Sequence, residues 1–333
     1  MLRNLAIIGA GSWGTALSIV LARQFSHVRL WAHDPDLAPD INRTRENPLY
    51  LPGCPIPASV TATADLSEAV DAASVVLFVV PSKFMRSVVR QVRPLLNGPM
   101  PDLVSATKGI EHHSLARMSA VIASELRTSA PVAVLSGPTF AREIARGEPA
   151  AVVIASTSAE LAERLQRQFS GPTFRLYTND DPVGVEIGAA LKNVIAIGAG
   201  IVQGLGLGNN TTAALVTRGL AEISRLAVAA GGRPSTLAGL AGLGDLLLTC
   251  TGELSRNRRV GIELAKGRNL TEILTSTNMV AEGVETTSAA VALAAKLAVE
   301  MPITQQMELV LRDGKSPRDG IRDLMDRALR SEQ

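Results

Sequence analysis

The stretch Leu5-Ala6-Ile7-Ile8-Gly9-Ala10-Gly11-Ser12-Trp13-Gly14-Thr15-Ala16-Leu17 decides how the rest of the chain is read. A short apolar run meets three glycines and then becomes helix-periodic, the pattern of strand, tight turn and helix. Gly9 lets the chain turn off the strand, Gly11 lets backbone N–H groups approach a pyrophosphate, and Gly14 lets the helix pack closely on the strand. The helix then points its positive N-terminal end at the phosphates. A lone G-x-G-x-x-G is weak, because glycine-rich turns occur in many loops that bind nothing. Here residues 5–8 supply a strand, 15–23 a helix and 27–32 a second strand, so the glycines sit inside a complete βαβ unit and read as a dinucleotide-binding turn.

Of the 333 residues, 46% are apolar and the mean hydropathy is +0.20, ample for buried cores and about two domains. The 33 Lys and Arg nearly cancel the 31 Asp and Glu, leaving a net charge of +2. The overall field therefore gives no reason to expect nucleic acid as a partner, and any anion site is local. Cys54 and Cys250 lie far apart and read as reduced thiols of a cytosolic protein, with a disulfide or metal site the lesser alternative. Residues 5–10 are too short for a signal segment and run straight into the glycine turn, so the chain is expected in the cytoplasm. The most membrane-like stretch, 194–208, contains Gln203 and several glycines and falls short of the roughly 20 apolar residues of a span. It reads as a buried helix and its end. No His/Cys/Asp cluster has ligand spacing, and His112 and His113 read as solvated residues of a surface loop, so no metal is expected.

After the second strand, Asp34 stands about twenty residues past Gly14, where a ribose-binding acid is expected. An acid there argues for NAD by accepting from the 2′-hydroxyl, whereas His33 beside it can donate to a 2′-phosphate and admit NADP. A capping Asp for the following helix is the structural alternative. Leu51-Pro52-Gly53-Cys54-Pro55-Ile56-Pro57, with three prolines in seven residues, reads as an extended surface loop. Strands are expected over 60–63, 75–80 and 103–107, with helices over 65–71 and 83–93 between them. Lys108 then falls just past a strand's carboxyl end, where ligands of such sheets bind. A strand over 132–135 runs into Ser136-Gly137-Pro138-Thr139-Phe140-Ala141, with Pro138 and Thr139 as first-turn or cap residues of a helix. Two more strands, 151–155 and 174–177, flank a helix over 159–169.

From about Asp181 the alternation gives way to long Ala/Leu/Val-rich helical stretches over 182–203, 211–230, 285–299 and 305–312. The expected fold is α/β, an N-terminal Rossmann-like doubly wound sheet over 1–180 followed by an all-helical C-terminal domain over 181–333. No period of 20 to 50 residues suggests a solenoid.

In Ala190-Leu191-Lys192-Asn193-Val194 a lysine sits inside an otherwise apolar helix of about twenty residues. Burial there lowers a lysine's pKa toward neutrality, the condition for exchanging a proton with a substrate hydroxyl or carbonyl. The alternative is a lysine that snorkels its head into water. Asn193 beside it faces another direction, so at least one of the pair is expected to reach solvent. Asp245, ahead of Leu246-Leu247-Leu248, reads either as a site acid or as a helix N-cap. Ser255-Arg256-Asn257-Arg258-Arg259 puts three arginines in four positions, a candidate phosphate grip through guanidinium forks, with a solvated basic face as the alternative. Without interleaved aromatics it is a poor nucleic-acid signal.

Taken together, Gly9-Ala10-Gly11-Ser12-Trp13-Gly14, Ala106-Thr107-Lys108-Gly109, Leu135-Ser136-Gly137-Pro138-Thr139-Phe140-Ala141, Ala190-Leu191-Lys192-Asn193 and Ser255-Arg256-Asn257-Arg258 closely resemble the bacterial NAD(P)-dependent glycerol-3-phosphate dehydrogenases. The match spans nearly the whole chain. The resemblance implies that Lys192 is the proton donor and acceptor, protonating the C2 oxygen of dihydroxyacetone phosphate as hydride arrives from the nicotinamide. The reverse reaction oxidises sn-glycerol 3-phosphate. It implies cofactor contacts from Ser12, Trp13, His33, Lys108, Ala141, Arg256, Val280 and Glu282, beside the glycines Gly9, Gly11 and Gly14. Substrate contacts are implied from Lys108, Gly137, Thr139, Asp245, Ser255, Arg256 and Asn257, with Arg256 and Asn257 on the phosphate. Val280 and Glu282 are singled out by the resemblance alone. The implied cofactor is NADP or NAD, with NADPH favoured because His33-Asp34 accompanies NADP use in this family. A homodimer and a product feeding glycerophospholipid synthesis are also implied. The rivals are another two-domain dehydrogenase, of 3-hydroxy-acid or 6-phosphogluconate type, and a non-catalytic dinucleotide-binding sensor in which the lysine and the arginines are structural.

Overall fold

A computed structural model describes residues 4–275, 281–329 and 331. Its first part is an eight-stranded sheet: β1 (Asn4–Ile8), β2 (His27–Trp31), β3 (Val60–Thr63), β4 (Val75–Phe78), β5 (Asp102–Ser105), β6 (Val132–Ser136), β7 (Ala150–Ala155) and β8 (Phe174–Asn179). The spatial order is β3-β2-β1-β4-β5-β6-β7-β8. Every pairing is parallel except β6 with β7. The chain passes from β1 outward to β2 and β3, then returns to build β4 on the other side of β1. Strand order therefore reverses between β1 and β4, which opens a crevice at their carboxyl ends. All four side chains of β4 are buried, as its unbroken Val-Val-Leu-Phe run requires of a strand covered on both faces.

β4 and β5 end earlier than the sequence suggests. Val79 and Ala106 still donate backbone hydrogen bonds to Ile8 O and Phe78 O, both at 2.9 Å, before the chain peels away to wall the crevice. The 51–57 segment is not a free surface loop either. Its prolines exclude regular structure, yet Leu51, Cys54 and Ile56 are buried and join the core under β2 and β3. Nor do Pro138 and Thr139 cap a helix: the helix Ala141–Ala145 begins after Phe140, with no side-chain cap.

Past β8 the elements among the described residues are all helices. Asp181 caps the helix Pro182–Gly204 by accepting from Gly184 N at 2.8 Å, with Pro182 at the first helical position. This helix is long and apolar enough to cross a membrane by composition, but its whole apolar window is buried inside the protein. The helices Asn209–Ala229, Asp245–Thr251, Arg256–Ala265 and Glu282–Lys296 surround it. Two glycines set its closest contact. A Cβ added to Gly200 would lie 1.9 Å from Arg258 O, and one added to Gly261 would lie 1.9 Å from Ile197 O. Both obstacles are backbone, so no side chain can yield. Gly200→Ala is expected to destabilise the fold by about 3 kcal/mol, the upper end for overpacking, seen as a lower chemical-denaturation midpoint with unchanged slope.

Candidate active site

The turn after β1 is built as its glycines suggest. Gly9, at φ +125°, passes so close to β4 that a Cβ there would lie 2.8 Å from Val79 O. A Cβ on Gly14 would lie 1.8 Å from Gly9 O, so only glycine lets the helix α1 (Ser12–Leu21) begin this near the strand. Gly11 differs: it heads α1 in extended conformation, and a Cβ there would meet nothing within 4 Å. Its open surroundings lie at a helix N-terminus with no side-chain cap, which suits a dinucleotide's pyrophosphate. Trp13 beside it keeps an enclosed Nε1 that has no hydrogen-bond partner among the described residues, a donor left for a ligand. These features fit a bound NAD or NADP.

His33 and Asp34 stand exposed past the end of β2. Asp34 Oδ1 accepts from Asp36 N at 3.0 Å, so it shapes the turn before the helix Leu37–Thr44 rather than capping the helix itself. The His33 ring meets the edge of Trp31, centroids 5.8 Å apart.

Across the crevice the long helix places Lys192 almost entirely out of solvent, 6% exposed. Its ammonium does not snorkel. Nζ donates to Asp245 Oδ1 at 2.5 Å and to Thr249 Oγ1 at 2.8 Å. Thr249 Oγ1 donates its hydroxyl hydrogen bond to Asp245 O at 2.6 Å, which leaves its oxygen free to accept from the lysine. Asp245 has no exposed surface, and its Oδ2 accepts from Lys108 Nζ at 2.7 Å. Lys108 also reaches Gly137 O at 3.1 Å and Thr139 Oγ1 at 3.5 Å. One carboxylate thus bridges two lysines from different parts of the chain. Burial, above all, brings the Lys192 pKa down to about 7; Asp245 opposes the shift and Lys108 adds to it. Thr249 escaped the sequence reading, although its position four residues after Asp245 on one helix puts both on one face.

Asn193, expected to reach solvent if Lys192 does not, is buried as well, because the helix is covered on every side. Its Oδ1 accepts from Asn257 Nδ2 at 2.9 Å, and Asn257 Oδ1 accepts from Gly283 N at 3.0 Å. Ser255 caps the helix Arg256–Ala265 by accepting from Arg258 N at 3.3 Å, so the helix's positive end lies at Ser255 and Arg256. The three arginines do not form one grip: Arg258 Nη1 turns back to Gly252 O at 3.3 Å, Arg259 is exposed, and Arg256 faces Glu282. Burial raises the Glu282 carboxyl, while Ser82 and Arg256 draw it back. Ser82, which follows β4, donates from Oγ to Glu282 Oε2 at 2.7 Å and from N to Oε1 at 3.3 Å, a link between the two parts of the chain that the sequence did not signal. Ala141 opens its helix near Gly137 and Thr139. Val280 lies outside the described residues.

A buried lysine across a crevice from a glycine cradle suits several dehydrogenases, and similarity to known proteins separates them. The N-terminal profile of the NAD-dependent glycerol-3-phosphate dehydrogenases matches residues 4–162 and the C-terminal profile residues 181–322. The chain belongs to this family. A glycerol-3-phosphate dehydrogenase [NAD(P)+] from Koribacter versatilis is 56% identical over 97% of each chain. One from Acidobacterium capsulatum is 52% identical over 99% of each. The crystal structure of glycerol-3-phosphate dehydrogenase from Coxiella burnetii superposes with a TM-score of 0.94 at 41% identity, covering 98% of this chain and 99% of that one. A ketopantoate reductase from Ralstonia eutropha, at 20% identity and a TM-score of 0.61, shares the fold alone. The glycerol-3-phosphate dehydrogenase family thus accounts for the glycine turn, the sheet and the helical part in one chain.

Proposed function

We propose that the protein is an NAD(P)-dependent glycerol-3-phosphate dehydrogenase that reversibly reduces dihydroxyacetone phosphate to sn-glycerol 3-phosphate. The observation that carries this reading is the buried Lys192–Asp245–Lys108 cluster at the crevice of a dinucleotide-binding sheet. Residues 1–180 hold the cofactor and 181–333 supply most of the substrate site. Gly9, Gly11, Ser12, Trp13 and Gly14 cradle the pyrophosphate, His33 faces the adenosine ribose, and Ala141, Arg256 and Glu282 complete the cofactor's surroundings. When bound, the nicotinamide exchanges a hydride with C2 of the substrate.

Every other step falls to the chain's own groups. As C2 gains hydride its oxygen gathers negative charge, and Lys192 quenches that charge by giving up a proton. In the reverse direction the neutral amine removes the proton from the C2 hydroxyl. Asp245 and Thr249 take two of the three ammonium protons of Lys192, which leaves the third for the substrate. Lys108, held by Asp245 and Gly137, adds positive charge beside the same oxygen. Ser255, Arg256 and Asn257 hold the phosphate through the positive end of their helix and the Arg256 guanidinium. The Asn257 amide gives one N–H to Asn193 and accepts from Gly283 N, which leaves its second N–H and its backbone N–H as donors for the phosphate.

The test is oxidation of NADPH, and separately NADH, on adding dihydroxyacetone phosphate to the purified protein. Turnover with either supports the reading and the two rates rank the cofactors. No turnover with either overturns the substrate assignment. The pH profiles follow from Lys192, whose pKa lies at about 7. Reduction needs the ammonium, so kcat/KM for dihydroxyacetone phosphate is expected to fall as pH rises through about 7. Oxidation needs the amine, so kcat/KM for sn-glycerol 3-phosphate is expected to rise through the same region. Profiles with the same sign in both directions would remove Lys192 from the proton transfer. A cytoplasmic homodimer that supplies glycerophospholipid synthesis is the setting supported by the family resemblance, and light scattering on the purified protein checks the dimer.

A further inference from the structure

Asn47 lies far along the chain from the glycine turn, yet its side chain is fully buried against it. Nδ2 donates to Ala10 O and to Thr15 Oγ1, both at 2.8 Å, and Oδ1 accepts from Tyr50 N at 3.0 Å. The 47–51 turn closes on itself through Leu51 N to Asn47 O at 3.0 Å. It is tied to the glycine turn a second time, where Ser12 Oγ donates to Tyr50 O at 2.8 Å.

The bond to Ala10 O has a directional consequence. Ala10 C=O and Gly11 N–H belong to one planar trans peptide and point in opposite directions. Holding the carbonyl inward on Asn47 therefore turns the Gly11 N–H outward, toward the open space where a Gly11 Cβ would meet nothing within 4 Å. Glycine offers little resistance to rotation of that peptide. Rotated, it would present a carbonyl oxygen to an arriving phosphate and withdraw a donor, reversing the sign of the local field.

We propose that Asn47 is a positioning residue for the dinucleotide, locking the Ala10–Gly11 peptide with its N–H toward the pyrophosphate. The inference rests on the dinucleotide-binding reading of the glycine turn. Nothing in the glycine motif itself specifies this lock. It is imported from a separate turn, so the cradle is shaped before the ligand arrives.

Titration calorimetry with NADP+ and with NAD+, on wild type, Asn47→Ala and Thr15→Val, tests it. Asn47→Ala is expected to raise both dissociation constants about tenfold or more. It should leave kcat at saturating cofactor and KM for dihydroxyacetone phosphate within threefold. Thr15→Val removes the other acceptor of the same amide and the long 3.5 Å bond from Thr15 Oγ1 to Ala10 O, but spares the 2.8 Å bond from Asn47 to that carbonyl, so its dissociation constants should stay within threefold of wild type. If Asn47→Ala does not fold, Asn47→Asp takes its place: it keeps the size and the bond from Tyr50 N but sets an oxygen against Ala10 O, and the same weakening is expected. A folded Asn47 variant that binds within twofold of wild type overturns the proposal. So does Thr15→Val weakening binding as much as the Asn47 variant, and so does the failure of both Asn47 variants to fold, because Asn47 would then serve only packing. Absence of binding by wild type would overturn the dinucleotide reading instead.

Discussion

Lys192→Met is expected to lower kcat by about three to four orders of magnitude, the loss that accompanies removal of a positioned general acid. The thioether fills much of the space of the lysine stem and carries no proton. Asp245 keeps Lys108 as its counter-charge, so the deletion leaves no bare carboxylate in the interior. The substitution also removes an ammonium buried at 6% exposure, so the fold should lose no stability. Affinity for NADP+ should stay within about twofold, because the cradle lies across the crevice on β1 and α1. Single-turnover reduction of dihydroxyacetone phosphate, with calorimetric binding of NADP+ in parallel, reads both quantities. A kcat within tenfold of wild type would transfer proton donation to another group, and the sensor reading would regain ground if wild type were equally slow.

Asp245→Asn is expected to impair the same reaction by a different route. The amide keeps the shape but not the charge, leaving Lys192 and Lys108 to repel each other. Burial and Lys108 already depress the Lys192 ammonium, and Asp245 is the largest influence opposing them. Without it the Lys192 pKa should fall further by about 1–3 units, the usual influence of one close opposite charge. The reduction profile should move to lower pH by that amount, so that at neutral pH little of the enzyme carries the proton it must donate. Losing one partner of a buried ion pair costs about 3–5 kcal/mol when the charge left behind cannot neutralise itself. Lys192 can neutralise itself by losing its proton, so the stability loss should be smaller and the activity loss larger. Recovery of reduction at low pH separates this outcome from a structural collapse, which acid would not repair.

Much of this was legible in local pattern. A three-glycine turn between an apolar run and a helical period specifies strand, turn and helix, and each glycine's task follows from its place. Gly9 and Gly14 prove to be positions where a side chain would strike backbone, and Gly11 one where it would fill open space. Lys192 was conspicuous because charge inside an apolar helix demands a reason. Its neighbour Asn193 misled, because adjacent helical residues diverge in direction, and only a helix covered all round can bury both. The 51–57 loop misled for a related reason: its prolines announce irregular backbone and say nothing of which side chains turn inward.

What the sequence determined by itself was the α/β order, the change to helices near residue 181 and the presence of one expensive lysine. Each depends on residues within about four positions of one another, the range over which strand and helix periods act. Only the tertiary structure decided which charges meet. Asp245 read as a site acid or a cap, and closure of the crevice sets it between lysines 53 and 137 residues away. The same closure divided the arginine run into one residue facing Glu282 and others turned elsewhere. Tertiary pairing also runs β7 and β8 opposite to the other six strands, and packing within the sheet part brings Asn47 under the glycine turn. Partner choice of this kind follows from the low dielectric and close packing of the interior, where an unpaired charge or amide is costly and the nearest group in space satisfies it, however distant in sequence.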